Sequence, residues 1–221
     1  RDRYYPVPTA PEWKEDPPCL FKFYEDPENN PLETPSGKLE FYSQRLADHF
    51  PDDKERPPSP RWIPYGESHQ ESLLCERAKK YPLLTVSNHG RWRVHANLDD
   101  ITWFKETPTC KIRGPDGYLY EPVWINPQDA AARGIKDGDI VKVYNGRGAV
   151  LGIAQITERV RPGTVHSWAS SAKYDPLEPG KFGGVDKGGC VNILTPSKMM
   201  SPNAPGMVPN SCLVEVARWE V

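Results

Sequence analysis

Apolar residues in this chain recur in short runs rather than in long helical stripes, and the densest set of runs lies between Trp124 and Trp168. Trp124-Ile125 ends one strand. Asn126-Pro127 then turns the chain into an alanine-rich helical segment, Gln128 to Arg133. Gly134 stands where a left-handed residue ends a helix, and Ile135 is placed to pack back over that end. Lys136-Asp137-Gly138-Asp139 reads as a turn. Ile140 to Tyr144 is β-branched and aromatic, which is a strand pattern. Asn145-Gly146 is the strongest short hairpin signal, and Ala149 to Thr157 is the return strand. Glu158 to Gly163 predicts another turn, and Thr164 to Trp168 another strand. The whole stretch predicts a compact β-barrel module with one small helix.

The pattern is sparser on the N-terminal side. Of the 25 prolines, thirteen precede position 65, which leaves little room there for a core. Residues 1–31 predict an extended, proline-rich arm that either inserts its aromatic rings into another surface or loops around its own domain. Leu39 to Ser43 predicts a short strand, Gln44 to Phe50 a helical turn, and Ser68 to Lys80 a helix with Leu73, Leu74 and Ala78 on one side. The compact domain is expected to begin at Tyr81, which gives an arm or linker over residues 1–80 and a barrel over residues 81–221. Within the barrel, Pro82 to Ser87 reads as a strand, Leu98 to Lys105 as a short helix or turn, and Cys110 to Gly117 as a hairpin-like turn. The loop from Ala169 to Gly189 is long enough to be a lid or interface loop. Its Gly183-Gly184 and Gly188-Gly189 pairs would let backbone approach a ligand closely, or form a glycine-rich bend without that role. Leu213 to Val216 is the final strand.

Composition narrows the chemistry. A net charge of −2 gives no support to a nucleic-acid partner. No window of 18 apolar residues exists for a transmembrane helix. The chain opens on Arg1 with neither a methionine nor a signal-peptide core, so a trimmed, processed or partial chain is expected. The five cysteines are scattered without a CxxC, which suits free thiols in a reducing compartment. Nucleotide-loop, zincin and serine-hydrolase motifs are absent, and the five histidines form no triad or metal spacing. No catalytic residue and no metal ligand is therefore assigned. One segment does stand out. Ser87-Asn88-His89-Gly90-Arg91-Trp92-Arg93-Val94-His95 follows directly on a strand and packs donors and aromatic rings together, as a site for an anionic or heteroaromatic ligand would. The alternative is a solvent-facing loop in which Arg91 and Arg93 point outward and His95 caps a turn.

Several segments resemble a known family. TPSGKLEFYS at 34–43, LLTVSNHGRWRVH at 83–95, WINPQDAAARGIKDGDIVKVYNGRG at 124–148, RPGTVHSW at 161–168 and NILTP at 192–196 are similar to the C-terminal region of the molybdopterin-dinucleotide oxidoreductases, the dimethyl sulfoxide reductase superfamily. The resemblance implies a mainly β fold with short helices: a six-stranded double-psi β-barrel that covers a bis(molybdopterin guanine dinucleotide) cofactor carrying Mo or W. It carries cofactor contacts onto Ser87, Asn88, His89, Arg91, Trp92, His95, Asn192, Asn210, Ser211 and Cys212. It also implies the remainder of a catalytic subunit, a partner holding [4Fe-4S] clusters, a small-molecule substrate and a cytoplasmic setting, with a periplasmic one left open. The SNHGRWRVH loop and GGCVNILTPSKMMSPNAPG look most like the pyrogallol–phloroglucinol transhydroxylase group, which performs hydroxyl transfer on aromatic rings. The RWRVHA loop also resembles the ethylbenzene dehydrogenase and nitrate reductase branch. A non-catalytic binding module on the same barrel is the reading from a different class. Convergence of the distant loop and asparagine segments on one groove separates a cofactor holder from such a module.

Overall fold

The computed structural model describes residues 20–53, 57–60, 73–169, 171, 173–197, 199–201, 204–207 and 212–220. The chain divides into two compact units, Arg1–Arg61 and Trp62–Val221. In the first unit, α1 (Phe21–Glu25) and α2 (Gln44–His49) are the regular elements among the described residues. The expected strand at Leu39 to Ser43 does not form. Among the described residues no strand pairs with it, and Leu39, Phe41 and Tyr42 stay exposed. Ser43 caps α2 instead, its Oγ accepting from the Leu46 amide at 3.3 Å. Pro51 follows the helix, as expected.

In the second unit, the predicted helix over Ser68 to Lys80 is reduced to a 3₁₀ turn, Glu76–Lys79, with residues 68–72 outside the described set. The body is a closed barrel of six strands: β1 (Leu83–Val86), β4 (Pro122–Ile125), β5 (Ile140–Asn145), β6 (Gly148–Ile156), β7 (Thr164–Ser167) and β11 (Cys212–Arg218). Around the ring the order is β1-β11-β5-β6-β4-β7, and β7 returns to β1. Two contacts, β1–β7 and β4–β6, are parallel and the rest antiparallel, as in a double-psi barrel. The interior is filled by Val123, Ile125, Val141, Val143, Val150 and Val165, each at most 1% exposed. Each such side chain contributes roughly 2 kcal/mol of transfer free energy.

Three smaller pairs complete the strands. β2 (Ile112–Arg113) and β3 (Leu119–Tyr120) form a hairpin, β8 (Val185–Asp186) joins the edge of β6, and β9 (Met199–Ser201) pairs with β10 (Ala204–Met207). Tyr120 lies with Ile140, Leu151 and Ile153 in a second apolar cluster. The first seven residues of β6 are therefore buried without interruption. That burial explains why its sequence is continuously apolar rather than alternating.

The local signals were mostly obeyed. α3 (Thr102–Lys105) and α4 (Pro127–Ala131) form where short helices were expected. Asn126 Oδ1 caps α4 by accepting from the Gln128 amide at 3.0 Å. Gly134 takes φ +64° and Ile135 donates back to the Ala130 carbonyl at 3.0 Å, which closes the helix end. One signal had a different cause. The β5–β6 turn consists of Gly146 and Arg147, and Asn145 is still paired in the sheet with Gly148. Asn145 Oδ1 accepts from the Arg147 amide at 2.9 Å, and its buried Nδ2 donates to the carbonyls of Leu194 and Leu213. Asn145 therefore acts as a side-chain bracket, not as a positive-φ turn residue.

Candidate functional site

Strands β1, β5 and β7 run one way and β4, β6 and β11 the other. The carboxyl ends of the first three and the amino ends of the second three therefore meet at one end of the barrel. Segments remote in sequence open there: the Ser87–His95 loop after β1, the Trp168–Gly184 loop after β7, Glu121 before β4, and Cys212 at the start of β11. Asn192 belongs to the 3₁₀ turn Val191–Leu194. That turn is held to the same end by Asn145 and by Arg147, which donates to the Leu194 carbonyl at 3.0 Å.

The loop after β1 is fixed from below by buried charge. Arg93 donates to Asp99 Oδ1 at 2.7 Å, to Glu121 Oε1 at 2.8 Å and to the Ala169 carbonyl at 2.9 Å. Lys111 Nζ donates to the same Glu121 oxygen at 2.5 Å and to Ser171 Oγ at 3.4 Å. All four charged side chains are at most 4% exposed. Burial alone would lower the Arg93 pKa, yet Glu121 and Asp99 outweigh it and hold the pKa above its ordinary value. Neither sequence alternative had Arg93 right, since it is a buried tie between three segments. Asp99 joins the tie, while its neighbour Asp100 is exposed and pairs with Lys105. Of the glycine pairs in the loop after β7, Gly189 serves the same packing, while a Cβ on Gly183 would meet nothing within 4 Å. A Cβ on Gly189 would meet Glu121 Cγ at 2.7 Å, so the close approach there is to protein.

Above this layer stand the predicted ligand residues. Asn88, His89, Arg91 and His95 are exposed, and Ser87 and Trp92 half-buried. Asn88 Oδ1 lies 2.5 Å from His166 Nε2. His89 and His95 rings meet edge to face at 4.6 Å, and the Arg91 guanidinium sits 6.0 Å from the Trp92 ring. Trp92 packs edge-on against Trp168, and Trp168 in turn against His166 and Trp124. Ser87 Oγ is buried without a hydrogen-bond partner among the described residues. His95 holds φ +51°, a conformation that glycine adopts more cheaply. The strain belongs to a tight turn in which the Asn97 amide donates to the Val94 carbonyl at 2.9 Å.

Asn192 is exposed, beside a hollow of about 230 Å3 lined by Arg147, Tyr174, Lys181, Phe182 and Ile193. Cys212 is brought to this end but faces inward, 1% exposed in the barrel core. Asn210 and Ser211 lie outside the described residues. Nothing in the local sequence pointed to His166, which is buried among aromatic rings with its pKa pushed down to about 4 by burial. No group of three or more His, Cys, Asp or Glu that could hold a metal ion occurs among the described residues. None of the described helices is long and apolar enough to cross a membrane.

The fold and this crowded barrel end define a class. Residues 84–213 match the molydopterin dinucleotide binding domain model, and the chain belongs to that family. It is 42% identical over 193 residues to the pyrogallol hydroxytransferase large subunit of Pelobacter acidigallici, covering 86% of this chain and 22% of that protein. It is 39% identical over 201 residues to the dimethyl sulfoxide reductase DmsA of Escherichia coli (strain K12), covering 89% of this chain and again 22% of the relative. Acetylene hydratase from Pelobacter acetylenicus superposes with a TM-score of 0.55 at 16% identity, over 88% of this chain and 25% of that one. The chain thus spans about a fifth of the length of the curated relatives it matches. Its donor set fits a pterin dinucleotide. Arg91 offers a fork for a diphosphate, Asn192 offers paired donor and acceptor atoms for a base edge, Asn88 offers the end of its amide that His166 does not hold, and the unpartnered Ser87 Oγ offers one more contact.

Proposed function

We propose that this chain is the cofactor-covering part of the catalytic subunit of a molybdenum or tungsten oxidoreductase that holds a bis(molybdopterin guanine dinucleotide). The observation that supports this reading is that the loop bearing Ser87, Asn88, His89, Arg91, Trp92 and His95 and the turn bearing Asn192 open at the same end of the barrel. When bound, the cofactor supplies the metal centre at which hydroxyl transfer or redox chemistry occurs. The residues of this chain bind and orient its organic part and shield it from water. Arg91 meets the diphosphate, Asn192 meets a heterocyclic edge, Asn88 adds an amide contact to the dinucleotide, and Trp92 braces the loop against Trp168. The remainder of the catalytic subunit, and an iron–sulfur partner beyond it, are part of the proposal. Trp103 and Phe182, 83% and 93% exposed, offer apolar contact surface to that remainder.

The substrate assigned is an aromatic polyol, on the strength of the similarity to the pyrogallol hydroxytransferase subunit. A sulfoxide or N-oxide is the second reading, favoured by the 37–39% identity to dimethyl sulfoxide and trimethylamine-N-oxide reductases. The test is cofactor content of the intact protein, read as released nucleotide and pterin fluorescence. Arg91→Ala with Asn192→Ala should lower it about tenfold or more, two lost charge-assisted or paired contacts being enough for that. Wild-type content in the double variant would remove the reading. Turnover of pyrogallol against dimethyl sulfoxide then separates the two substrates.

A further inference from the structure

We propose that His166 is a positioning residue that locks the Asn88 carboxamide with its NH2 group turned outward, so that Asn88 reads an acceptor oxygen of the bound dinucleotide. This rests on the reading that the dinucleotide lies on the Ser87–His95 loop.

The contact itself leaves two arrangements. Either His166 carries its proton on Nε2 and donates to Asn88 Oδ1, or the amide is turned over and Asn88 Nδ2 donates to a bare Nε2. The two differ in what they leave at the other ring nitrogen. His166 is 5% exposed, and its Nδ1 is buried with no hydrogen-bond partner among the described residues. Trp124, at 4.5 Å between centroids, and Trp168, at 4.6 Å, flank the ring, and their indole nitrogens are donors already used by Gln155 and the Thr109 carbonyl, so neither supplies a nitrogen or oxygen acceptor. With the proton on Nε2, Nδ1 is an unfilled acceptor. With the amide turned over, Nδ1–H becomes a buried donor without an acceptor, which proteins tolerate less well. A doubly protonated ring would place an unpaired charge among tryptophans, and burial indeed holds its pKa well below the ordinary histidine value. The neutral, Nε2-protonated ring is therefore selected, and Asn88 Oδ1 is consumed facing inward. The outward Nδ2 has one other contact, a marginal 3.5 Å to the His89 carbonyl. An exposed, pre-aimed donor pair remains. It suits an oxygen acceptor, either a ring carbonyl of the pterin or guanine or a diphosphate oxygen.

Asn88→Asp decides the orientation. His166 still donates to the carboxylate, so the melting temperature should hold or rise, while the outward group becomes an acceptor. Cofactor content of the intact protein should then fall about tenfold or more. Retention at the wild-type level would overturn the proposal. If added salt restores part of the loss, the acceptor is a diphosphate oxygen repelled by the introduced carboxylate; a salt-independent loss marks a ring carbonyl. His166→Phe keeps a flat ring in the aromatic box but frees the amide to rotate. It should reduce retention about threefold, and unchanged retention would sink the positioning role. Ring 15N shifts of His166 at neutral pH should report the Nε2-protonated tautomer, and an Nδ1-protonated ring contradicts it. Wild-type cofactor content in the Arg91→Ala, Asn192→Ala double variant would instead remove the underlying reading, whatever Asn88 does.

Discussion

Deleting the Arg93 guanidinium would leave Asp99 and Glu121 buried, with Lys111 as the cation between them, and would remove the side-chain donor to the Ala169 carbonyl. Breaking a buried pair in this way costs about 3–5 kcal/mol, most of it from the stranded charge. Arg93→Met should therefore show that loss in chemical denaturation, and a loss below about 1 kcal/mol would mean water reaches the cluster. His95 makes the opposite case. Its φ of +51° is strained for a residue with a side chain, so His95→Gly should gain about 1 kcal/mol of stability. The same change removes an exposed ring from the proposed cofactor face, so cofactor content should drop as the melting temperature rises. A variant that gains stability and keeps all its cofactor would show that the strain has no such use.

At the scale of elements, Gly134 ends α4 in a left-handed conformation that a β-branched side chain resists. Gly134→Val should destabilise the barrel by about 2 kcal/mol without touching the ligand loop, read as a lower denaturation midpoint at unchanged cofactor stoichiometry. Such features were legible because their causes are local. The cap at Asn126, the glycine after α4 and the β-branched runs of β5 and β6 each act within a few residues. Leu39 to Ser43 failed because alternation makes a strand only where another strand offers its backbone, and none among the described residues does there. Asn145 was found for the wrong reason, since the carbonyls it bridges lie 49 and 68 residues further on. The ligand loop was found by its density of donors. Its foundation was not, because Arg93 meets Glu121 and Ala169 across 28 and 76 residues, and His166 reaches Asn88 across 78. No local periodicity encodes such meetings.

For the whole molecule, the buried and clamped groups set a pH window. His166 is held near pKa 4 in the folded state against an ordinary 6.5, so the unfolded chain binds the extra proton first. Stability from this group is complete above about 6.5 and is lost as pH falls towards 4. Asp116 and Asp175, held below the usual carboxylate value of 3.8 by hydrogen bonds from Lys187 and Tyr118 respectively, add a second loss at still lower pH. Thiols and tyrosines close the alkaline side, and burial raises Cys110 and Cys190 from 9.0. Burial and the hydrogen bond to Asp116 push Tyr120 up to about 12 from 10, and burial with the bond to Asp175 raises Tyr118 as well. The unfolded chain therefore releases those protons first, and stability declines as pH rises beyond about 9 for the thiols and about 10 for the tyrosines. Melting temperature plotted against pH should be flat between about 6.5 and 9 and fall on both sides. His166→Phe should remove the shallow step between 6.5 and 4 while leaving the steeper fall below it. Tyr120→Phe should make the decline above about 10 shallower. An acid limb unchanged in the His166 variant would mean that the ring is hydrated in solution, and the fixed orientation argued for Asn88 would lose its physical basis.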